Sequence, residues 1–330
     1  MTATQRRASR RHVLVGALLS IVLAAGACTT SPERAAPDAD AADPAAEPGK
    51  SADDVPAEGD YPVTVGSLEI DRRPERIVSL SPSATEMLFA IGAGDAVVAA
   101  DEYSDYPAEA PTTDLSGFQP NVEAIAAWEP DLVVASDDLG DLAVSLEAVG
   151  IPLLLQPAPA DVEGVYAHLA DLGLATGEID GAADVISKMQ AEIASIVNAA
   201  PETDEPRTYY HELAPDHYSI TSSTFIGEVY RLANLISIAD AAGETGNPYP
   251  QLSPEFILDA DPDLILLADV ACCDVTAESI RQRPGWDTLT AVVRGSIIEL
   301  DEDVASRWGP RIVELLRDVV DALDTLDAAV

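Results

Sequence analysis

The chain contains one segment twice, as Glu123-Ala-Ile-Ala-Ala-Trp-Glu-Pro-Asp-Leu-Val-Val134 and as Glu255-Phe-Ile-Leu-Asp-Ala-Asp-Pro-Asp-Leu-Ile-Leu266. Glu, Ile, Pro, Asp and Leu stand at the same offsets in both copies. The residue before a proline is driven out of the α region, and the apolar run that follows favours an extended chain. Each copy therefore predicts a short helix that ends before the proline and leads into a buried strand. Two such copies predict two similar lobes.

The two copies also begin alike. Asn121 and Ser253 stand two residues before the glutamates, and both residue types are good helix N-caps. Glu123 and Glu255 then lie in the first helical turn, where the helix dipole stabilises a negative charge by about 0.3–1 kcal/mol. Helix chemistry alone therefore explains both glutamates.

The composition predicts an acidic, soluble chain. Its 330 residues can form one large or two medium domains, and the repeat favours two. The sequence has 18 Lys and Arg against 58 Asp and Glu, which gives a formal net charge of −40. Such a body repels nucleic acid and anionic lipid, and it favours a monomer. The acidity reflects a compositional bias, from either a GC-rich genome or a salty habitat.

Residues 1–27 predict a lipoprotein signal peptide. Four arginines precede residue 12, and the apolar run from Val13 to Ala27 is too short to span a bilayer. It ends in Ala25-Gly-Ala-Cys28, which resembles the lipobox at which bacterial lipoproteins are acylated on the cysteine. The alternative is an ordinary secretory signal with an incidental Cys28. Export by the general or the twin-arginine route stays open, because Ser9-Arg-Arg-His-Val-Leu14 resembles the twin-arginine pattern.

Residues 28–60 are predicted to be a disordered acidic tether. They consist largely of Ala, Pro, Asp, Glu, Gly and Ser, with almost nothing to bury. A lipid on Cys28 and this tether would hold the rest of the chain at the outer face of a membrane.

A strand followed by a helix opens the first lobe, residues 61–158. The strand is Arg76–Leu80, and the helix begins near Ser81-Pro-Ser-Ala-Thr-Glu86, where Ser83 and Glu86 have capping-box spacing. Ligands of parallel α/β sheets bind beyond the carboxyl ends of the strands, so Ser81 and Ser83 are candidate ligand contacts. The alternative is that both serines only cap the helix.

Two tyrosines follow the next predicted strand, 96–100. Tyr103 and Tyr106 each offer an apolar face for stacking and a hydroxyl for hydrogen bonding, which suits ligand binding. Alternatively, they only cover the edge of the core.

Residues 159–200 are predicted to link the lobes through helices. The apolar residues from Asp161 onward recur with helical period, and the last section, from Ile179 to Asn198, is long enough to span about 30 Å. One long helix between two lobes is a stiff connection. Two helices that break between Gly173 and Gly181 fit the same pattern.

The second lobe, residues 201–330, contributes more candidate ligand contacts, namely His211, Tyr249, Arg307, Trp308 and Arg311. A guanidinium group binds anionic groups, and an indole stacks on a macrocycle. The alternative for Arg311 is a buried partner for an acidic strand end.

The cysteines and histidines do not predict a metal site or an enzyme. Cys272 and Cys273 are adjacent, so they form a vicinal disulfide, pair between molecules or stay free. No zinc motif, GxSxG, phosphate-binding glycine loop or HExxH is present. We expect no metal, no cofactor of the protein's own and no catalytic residues.

Three segments resemble the substrate-binding proteins of ABC importers for vitamin B12 and ferric siderophores. They are Arg76–Glu86, Tyr103–Pro107 and Gly117–Val134, and the likeness continues over roughly residues 61–325. The resemblance implies an α/β fold with two Rossmann-like lobes, a central sheet in each, a long rigid linking helix that limits closure, and a ligand cleft between the lobes. Tyr249 and Gly117 stand where B12 binders carry Trp, which implies that part of the aromatic cleft is absent.

The resemblance also implies a function and partners. The ligand would be a bulky metal chelate, either a cobalamin or related corrinoid or a ferric siderophore, with the corrinoid favoured by the Tyr103–Pro107 match and the siderophore by Arg307 and Arg311. An ABC permease and its ATPase would be the partners, and Glu123 and Glu255 would meet arginines of the permease. A cell-surface sensor or adhesin, or a cleft enzyme on the same fold, is the alternative from another class.

Overall fold

Two parallel β-sheets, one in each lobe, organise the residues that the computed structural model describes, which are 61–201, 203, 205–242 and 246–328. These residues belong to one unit, 55–330. Cys28, the predicted signal peptide and the predicted tether lie outside the described residues. None of the helices in the described ranges has the length and hydropathy needed to cross a membrane.

The N-terminal lobe contains a hairpin and a five-stranded sheet. The hairpin pairs β1 (Val63–Val65) with β2 (Leu68–Ile70). The strands of the sheet are, in spatial order, β5 (Thr112–Leu115), β4 (Val97–Asp101), β3 (Ile77–Leu80), β6 (Leu132–Ala135) and β7 (Leu153–Leu155). The helices of this lobe are α1 (Pro82–Ala90), α2 (Val122–Ala126) and α3 (Leu142–Glu147). All residues of β3 and β6 are buried, as expected for parallel strands that are covered on both faces.

The C-terminal lobe contains a four-stranded sheet. Its strands are, in spatial order, β11 (Ile297–Glu299), β10 (Leu264–Leu267), β8 (Arg207–Glu212) and β9 (Leu235–Ser237). Its helices are α6 (Phe225–Arg231), α7 (Pro254–Ala260), α8 (Val270–Cys273), α9 (Ala277–Arg281), α10 (Thr290–Arg294), α11 (Glu302–Ser306) and α12 (Ile312–Ala328). The predicted pair of α/β lobes is confirmed.

The repeated segment forms the same unit in both lobes, α2 then β6 and α7 then β10. Both predicted N-caps are confirmed, because Asn121 Oδ1 accepts from Ala124 N at 3.1 Å and Ser253 Oγ accepts from Phe256 N at 3.2 Å.

The repeated aspartate, which the sequence left unexplained, fastens the start of the neighbouring central strand. Asp131 accepts from Arg76 N at 2.9 Å beside β3, and Asp263 accepts from Thr208 N at 3.0 Å in β8. A strand start that is anchored in this way fixes the register of each sheet.

Two helices link the lobes, α4 (Val162–Thr176) and α5 (Ile179–Ala199). They break at Gly177, whose φ of 74° lies in the left-handed region that glycine adopts without strain. At 21 residues, α5 extends over about 32 Å and is the predicted linking helix. It lies tightly against the first lobe, because a Cβ on Gly181 would come within 2.0 Å of the Ile91 carbonyl oxygen.

The capping box predicted at Ser83 and Glu86 is wrong. Helix α1 begins earlier, with Pro82 in its first turn and Ser81 as N-cap, whose Oγ accepts from Ala84 N at 3.4 Å. Proline favours the first helical position because its fixed φ suits the helix and its missing N–H has no partner there. This shift places Ser83 inside the helix and frees the Glu86 carboxylate for contacts with the other lobe.

Candidate functional site

The candidate site lies where the carboxyl ends of the two sheets face each other. Parallel strands place the loops that follow them at one edge of each sheet, which is the usual position of ligand sites in such folds. The two edges meet in this structure, because Arg307, after β11, donates to Tyr103 O at 3.0 Å and to Asp105 Oδ1 at 2.9 Å, after β4. The loops that were predicted to line the cleft therefore contact each other.

A buried carboxylate on α1 joins the lobes by binding two arginines. Glu86 Oε1 accepts from Arg307 Nη1 at 3.1 Å and from Arg311 Nη2 at 2.5 Å, and Glu86 Oε2 accepts from Arg311 Nε at 3.1 Å. Burial is the largest single effect and lowers the pKa of Arg311. The hydrogen bond and the charge of Glu86, together with nearby aspartates, outweigh it, so the pKa is raised. The network borders a pocket of 490 Å³ between α1, α5 and α12.

Both arginines were predicted as ligand contacts, and the structure shows their guanidinium groups already bonded to protein carboxylates. Arg307 is 7% exposed and has a further acceptor in Asp303 Oδ1 at 2.6 Å. Arg311 lies over the ring of Tyr106, with 4.0 Å between the guanidinium carbon and the ring centroid. An anionic ligand would have to displace these contacts, so ligand binding by Arg307 and Arg311 stays a prediction.

The two predicted serines are buried near the contact between the lobes. Ser83 Oγ accepts from Trp308 N at 3.1 Å, which joins α1 to the chain before α12. Ser81 caps α1, which is the alternative that the sequence offered to ligand binding. Trp308 itself is half-buried beside this contact.

Exposed aromatic side chains lie on the loops of the first lobe. Tyr103 is 52% exposed and meets Phe118 edge to face, with 5.7 Å between ring centroids. Phe118 is 70% exposed and was not predicted, although its position directly after β5 was a usable signal. A Cβ on Gly117 would come within 2.4 Å of the Leu80 carbonyl oxygen, so a Trp at this position would require a backbone shift. The next residue, Phe118, carries an exposed ring here.

His211 lies inside the second lobe. It is fully buried, its Nδ1 is 3.2 Å from the Tyr230 hydroxyl oxygen, and burial lowers its pKa to about 3. The predicted ligand contact of His211 is untested and stays a prediction. A second histidine, His217, lies half-buried in the loop after β8. Tyr218, which forms an isolated bridge with Gln251, and Tyr249 are both exposed.

A buried polar cluster that was not predicted lies at the carboxyl ends of β8 and β10. Arg283 donates to both oxygens of Glu212, at 2.6 and 2.5 Å, and Tyr210 donates its hydroxyl to Glu212 at 3.0 Å. Asp269 is fully buried beside Glu212, and neither of its carboxylate oxygens has a hydrogen-bond partner among the described residues. Burial, and next the charge of Glu212, raises the pKa of Asp269 to about 7.

Cys272 and Cys273 form a vicinal disulfide, one of the three states that the sequence left open. Both are exposed, and Cys272 N donates to Glu302 Oε1 at 2.8 Å, so the disulfide lies beside α11. Within the described ranges, no cluster of three or more His, Cys, Asp or Glu side chains has the arrangement needed to hold a metal ion.

Glu123 and Glu255 are exposed in the first turns of α2 and α7. Each helix runs back from the carboxyl edge of its sheet to the start of the next strand, so its first turn lies on the side of the facing edges. Each lobe therefore carries one exposed glutamate in a helix that leads into a central strand, and docking through them stays a prediction.

Comparisons with known proteins agree with this geometry. A family model described as periplasmic binding protein matches residues 77–304. A cobalamin-binding protein of Halobacterium salinarum is 34% identical over 265 residues, which cover 78% of this chain and 71% of that protein.

Two further similarities concern a lipoprotein and a solved structure. An uncharacterized ABC transporter substrate-binding lipoprotein of Bacillus subtilis is 29% identical over 278 residues, which cover 80% of this chain and 86% of that protein. The apo structure of a periplasmic haem-binding protein of Roseiflexus superposes with a TM-score of 0.67 at 26% identity, covering 78% of this chain and 99% of that one.

Proposed function

Because the chain belongs to the periplasmic binding protein family, we propose that it captures a bulky metal chelate outside the cytoplasm and delivers it to an ABC permease. The observation that carries this proposal is the contact between the loops that follow the two sheets, where Arg307 donates to Tyr103 O, beside the exposed rings of Tyr103 and Phe118. The chain is a binding protein and not an enzyme. A sensor, an adhesin and a cleft enzyme are not favoured, because the relatives and structural neighbours are named as binding proteins.

A corrinoid is the ligand that the observations favour. Exposed rings such as Tyr103 and Phe118 suit the broad apolar faces of a macrocycle, and a relative at 34% identity is named as a cobalamin-binding protein. A ferric siderophore is the alternative. The support it drew from Arg307 and Arg311 is weaker in this structure, because both guanidinium groups are bonded to buried or neighbouring carboxylates.

Ligand titration tests the function. Purified protein is mixed with cyanocobalamin, haemin and ferric siderophores, and the fluorescence of the three tryptophans is followed. Trp308 lies half-buried at the contact between the lobes, so a ligand in the cleft is expected to change its emission. We expect binding with a Kd below about 10 µM, which corresponds to a free energy of roughly −7 kcal/mol. If no chelate binds in this range, the importer function loses its support.

We further propose that the protein is a lipoprotein anchored through Cys28 at the outer face of the cell membrane. The lipobox-like Ala25-Gly-Ala-Cys28 supports this, as does a relative named as a lipoprotein. Cys28→Ser is expected to abolish incorporation of radiolabelled palmitate, because the acyl acceptor is lost. Equal labelling of both forms would contradict the anchor.

Glu123 and Glu255 are proposed to dock the permease, one from each lobe. Exposed ion pairs add little affinity, but they orient a transient encounter. The double substitution Glu123→Arg and Glu255→Arg is expected to abolish uptake in cells while the Kd for cyanocobalamin stays within about twofold, a difference of roughly 0.4 kcal/mol.

Glu163→Arg is the matched control, because Glu163 is also an exposed glutamate in a first helical turn, that of α4, but lies outside the repeat. Uptake should be normal in this variant. Loss of ligand binding in the double variant would show that the two glutamates act in the cleft and not at a docking surface.

A further inference from the structure

The vicinal disulfide between Cys272 and Cys273 does not brace the fold. In the chain-entropy model, a disulfide stabilises a protein by closing a loop of the unfolded chain, and a longer loop gives a larger effect. These two cysteines are adjacent in sequence, so their disulfide joins nothing beyond their own peptide unit. A disulfide without a bracing role is a candidate for chemistry of its own.

The disulfide is open to attack. Both cysteines are exposed in α8, the single helical turn that follows β10. Thiol–disulfide exchange requires that a thiolate reach one of the two sulfurs, so exposure is the first condition for it. The reduced form also suits the local structure, because Asp269 O lies 3.7 Å from the Cys272 sulfur and can accept a hydrogen bond from its thiol.

The turn that carries the disulfide is tied to the contact between the lobes. Cys272 N donates to Glu302 Oε1 at 2.8 Å, and Glu302 begins α11. The next residue, Asp303, accepts from Arg307 at 2.6 Å, and Arg307 donates to Tyr103 O in the other lobe. A chain of hydrogen bonds through α11 therefore connects the disulfide to the first lobe.

We propose that Cys272–Cys273 is a redox-modification site, which an external dithiol reduces and whose reduction loosens the contact between the lobes. A thiolate of the reductant attacks one cysteine sulfur, the S–S bond breaks, and the other cysteine leaves as a thiolate. The second thiol of the reductant then resolves the mixed disulfide. The reductant becomes a disulfide, two electrons pass to the protein, and the two protons of the reductant's thiols end on the two cysteines. Opening the ring frees the turn that presents Cys272 N to Glu302.

The charge around the site selects the reductant. Asp274 directly follows the disulfide and Glu302 accepts from its backbone, in a chain whose formal net charge is −40. Such a field repels anionic thiols, and the carboxylates disfavour a thiolate on either cysteine after reduction. We therefore expect an uncharged or cationic dithiol to react, and we expect the reduced cysteines to stay protonated rather than attack other disulfides.

Dithiothreitol treatment of the full chain tests the modification. Cys272 and Cys273 are two of the three cysteines of the chain, so N-ethylmaleimide labelling and mass spectrometry of the peptide that contains them report their reduction directly. We expect no label before dithiothreitol and two after it. Glutathione, which is anionic, should react more slowly, and added salt should reduce the difference by screening the charge. No labelling of the folded protein would overturn the site.

Amide hydrogen exchange of the same samples tests the link to the lobes. Reduction is expected to speed exchange severalfold in residues 301–307 and 103–105, because these segments lose a tie that holds them. Glu302→Ala should show the faster exchange already in the oxidised protein, with no further change on reduction. Glu299→Ala is the matched control, because Glu299 accepts from Ala277 N at 2.7 Å at the start of α9, beyond the disulfide turn. It should respond to dithiothreitol as the native protein does.

A variant that cannot form the disulfide completes the test. The double substitution Cys272→Ser and Cys273→Ser should match the exchange of the reduced native protein and should not respond to dithiothreitol. Two labels after reduction with unchanged exchange at 301–307 and 103–105 would overturn the proposed coupling. None of these measurements involves a ligand, so their failure is distinguishable from a failure to bind chelates.

Discussion

Replacing Glu86 by alanine is expected to lower the free energy of unfolding by about 3 kcal/mol, the lower end of the range for breaking a buried ion pair from one side. The carboxylate is buried and accepts hydrogen bonds from Arg307 and Arg311, which lie in the other lobe. Without it, two largely buried guanidinium groups lose their shared anion. Arg307 keeps Asp105 and Asp303, and Arg311 keeps the ring of Tyr106, which limits the loss.

The measurement is urea unfolding, with Glu228→Ala as the matched control. Glu228 forms an exposed pair with Arg231 at 2.8 Å inside α6, and removing such a pair changes stability by less than about 1 kcal/mol. Glu86→Gln should lie between the two, because the amide oxygen keeps one acceptor without the charge. If Glu86→Ala and Glu228→Ala lose equal stability, the network does not hold the lobes together.

Local signals made much of the fold predictable. The repeated helix–proline–strand segment identified the lobes, Asn121 and Ser253 were correct N-caps, and α5 ends within one residue of its predicted terminus. These features depend on side chains a few residues apart. Hydrophobic period, proline and cap chemistry therefore suffice to find them.

The polar contacts of the candidate site depend on residues far apart in sequence. Glu86 and its arginines are separated by 221 and 225 residues, and no local pattern pairs them. The capping-box spacing was itself misleading, because Pro82 set the helix start and released Glu86 for the other lobe. Asp269 was missed for the same reason, since only the parallel pairing of β8 with β10 brings it beside Glu212.

The second large effect is expected at Asp269, where Asp269→Asn should stabilise the protein at pH 8 and leave it almost unchanged near pH 4. Asp269 is fully buried, and neither carboxylate oxygen has a hydrogen-bond partner among the described residues. At low pH the protonated carboxyl can donate a hydrogen bond to Glu212. The asparagine amide donates the same bond at every pH, without a charge to bury.

The sign of the pH dependence follows from the two pKa values. Burial and the charge of Glu212 raise the pKa of Asp269 from 3.8 to about 7 in the folded protein, so this group stabilises the fold fully below pH 3.8 and loses that contribution as the pH rises to 7. At 1.36 kcal/mol per pKa unit the loss is on the order of 4 kcal/mol. Asp259→Asn is the control, because Asp259 is exposed on α7 and should give a profile parallel to that of the native protein.

The difference in unfolding free energy between Asp269→Asn and the native protein should therefore grow between pH 4 and 7 and then level off. A difference that is constant over this range would mean that Asp269 is ionised in the folded protein throughout and has a partner that compensates its charge.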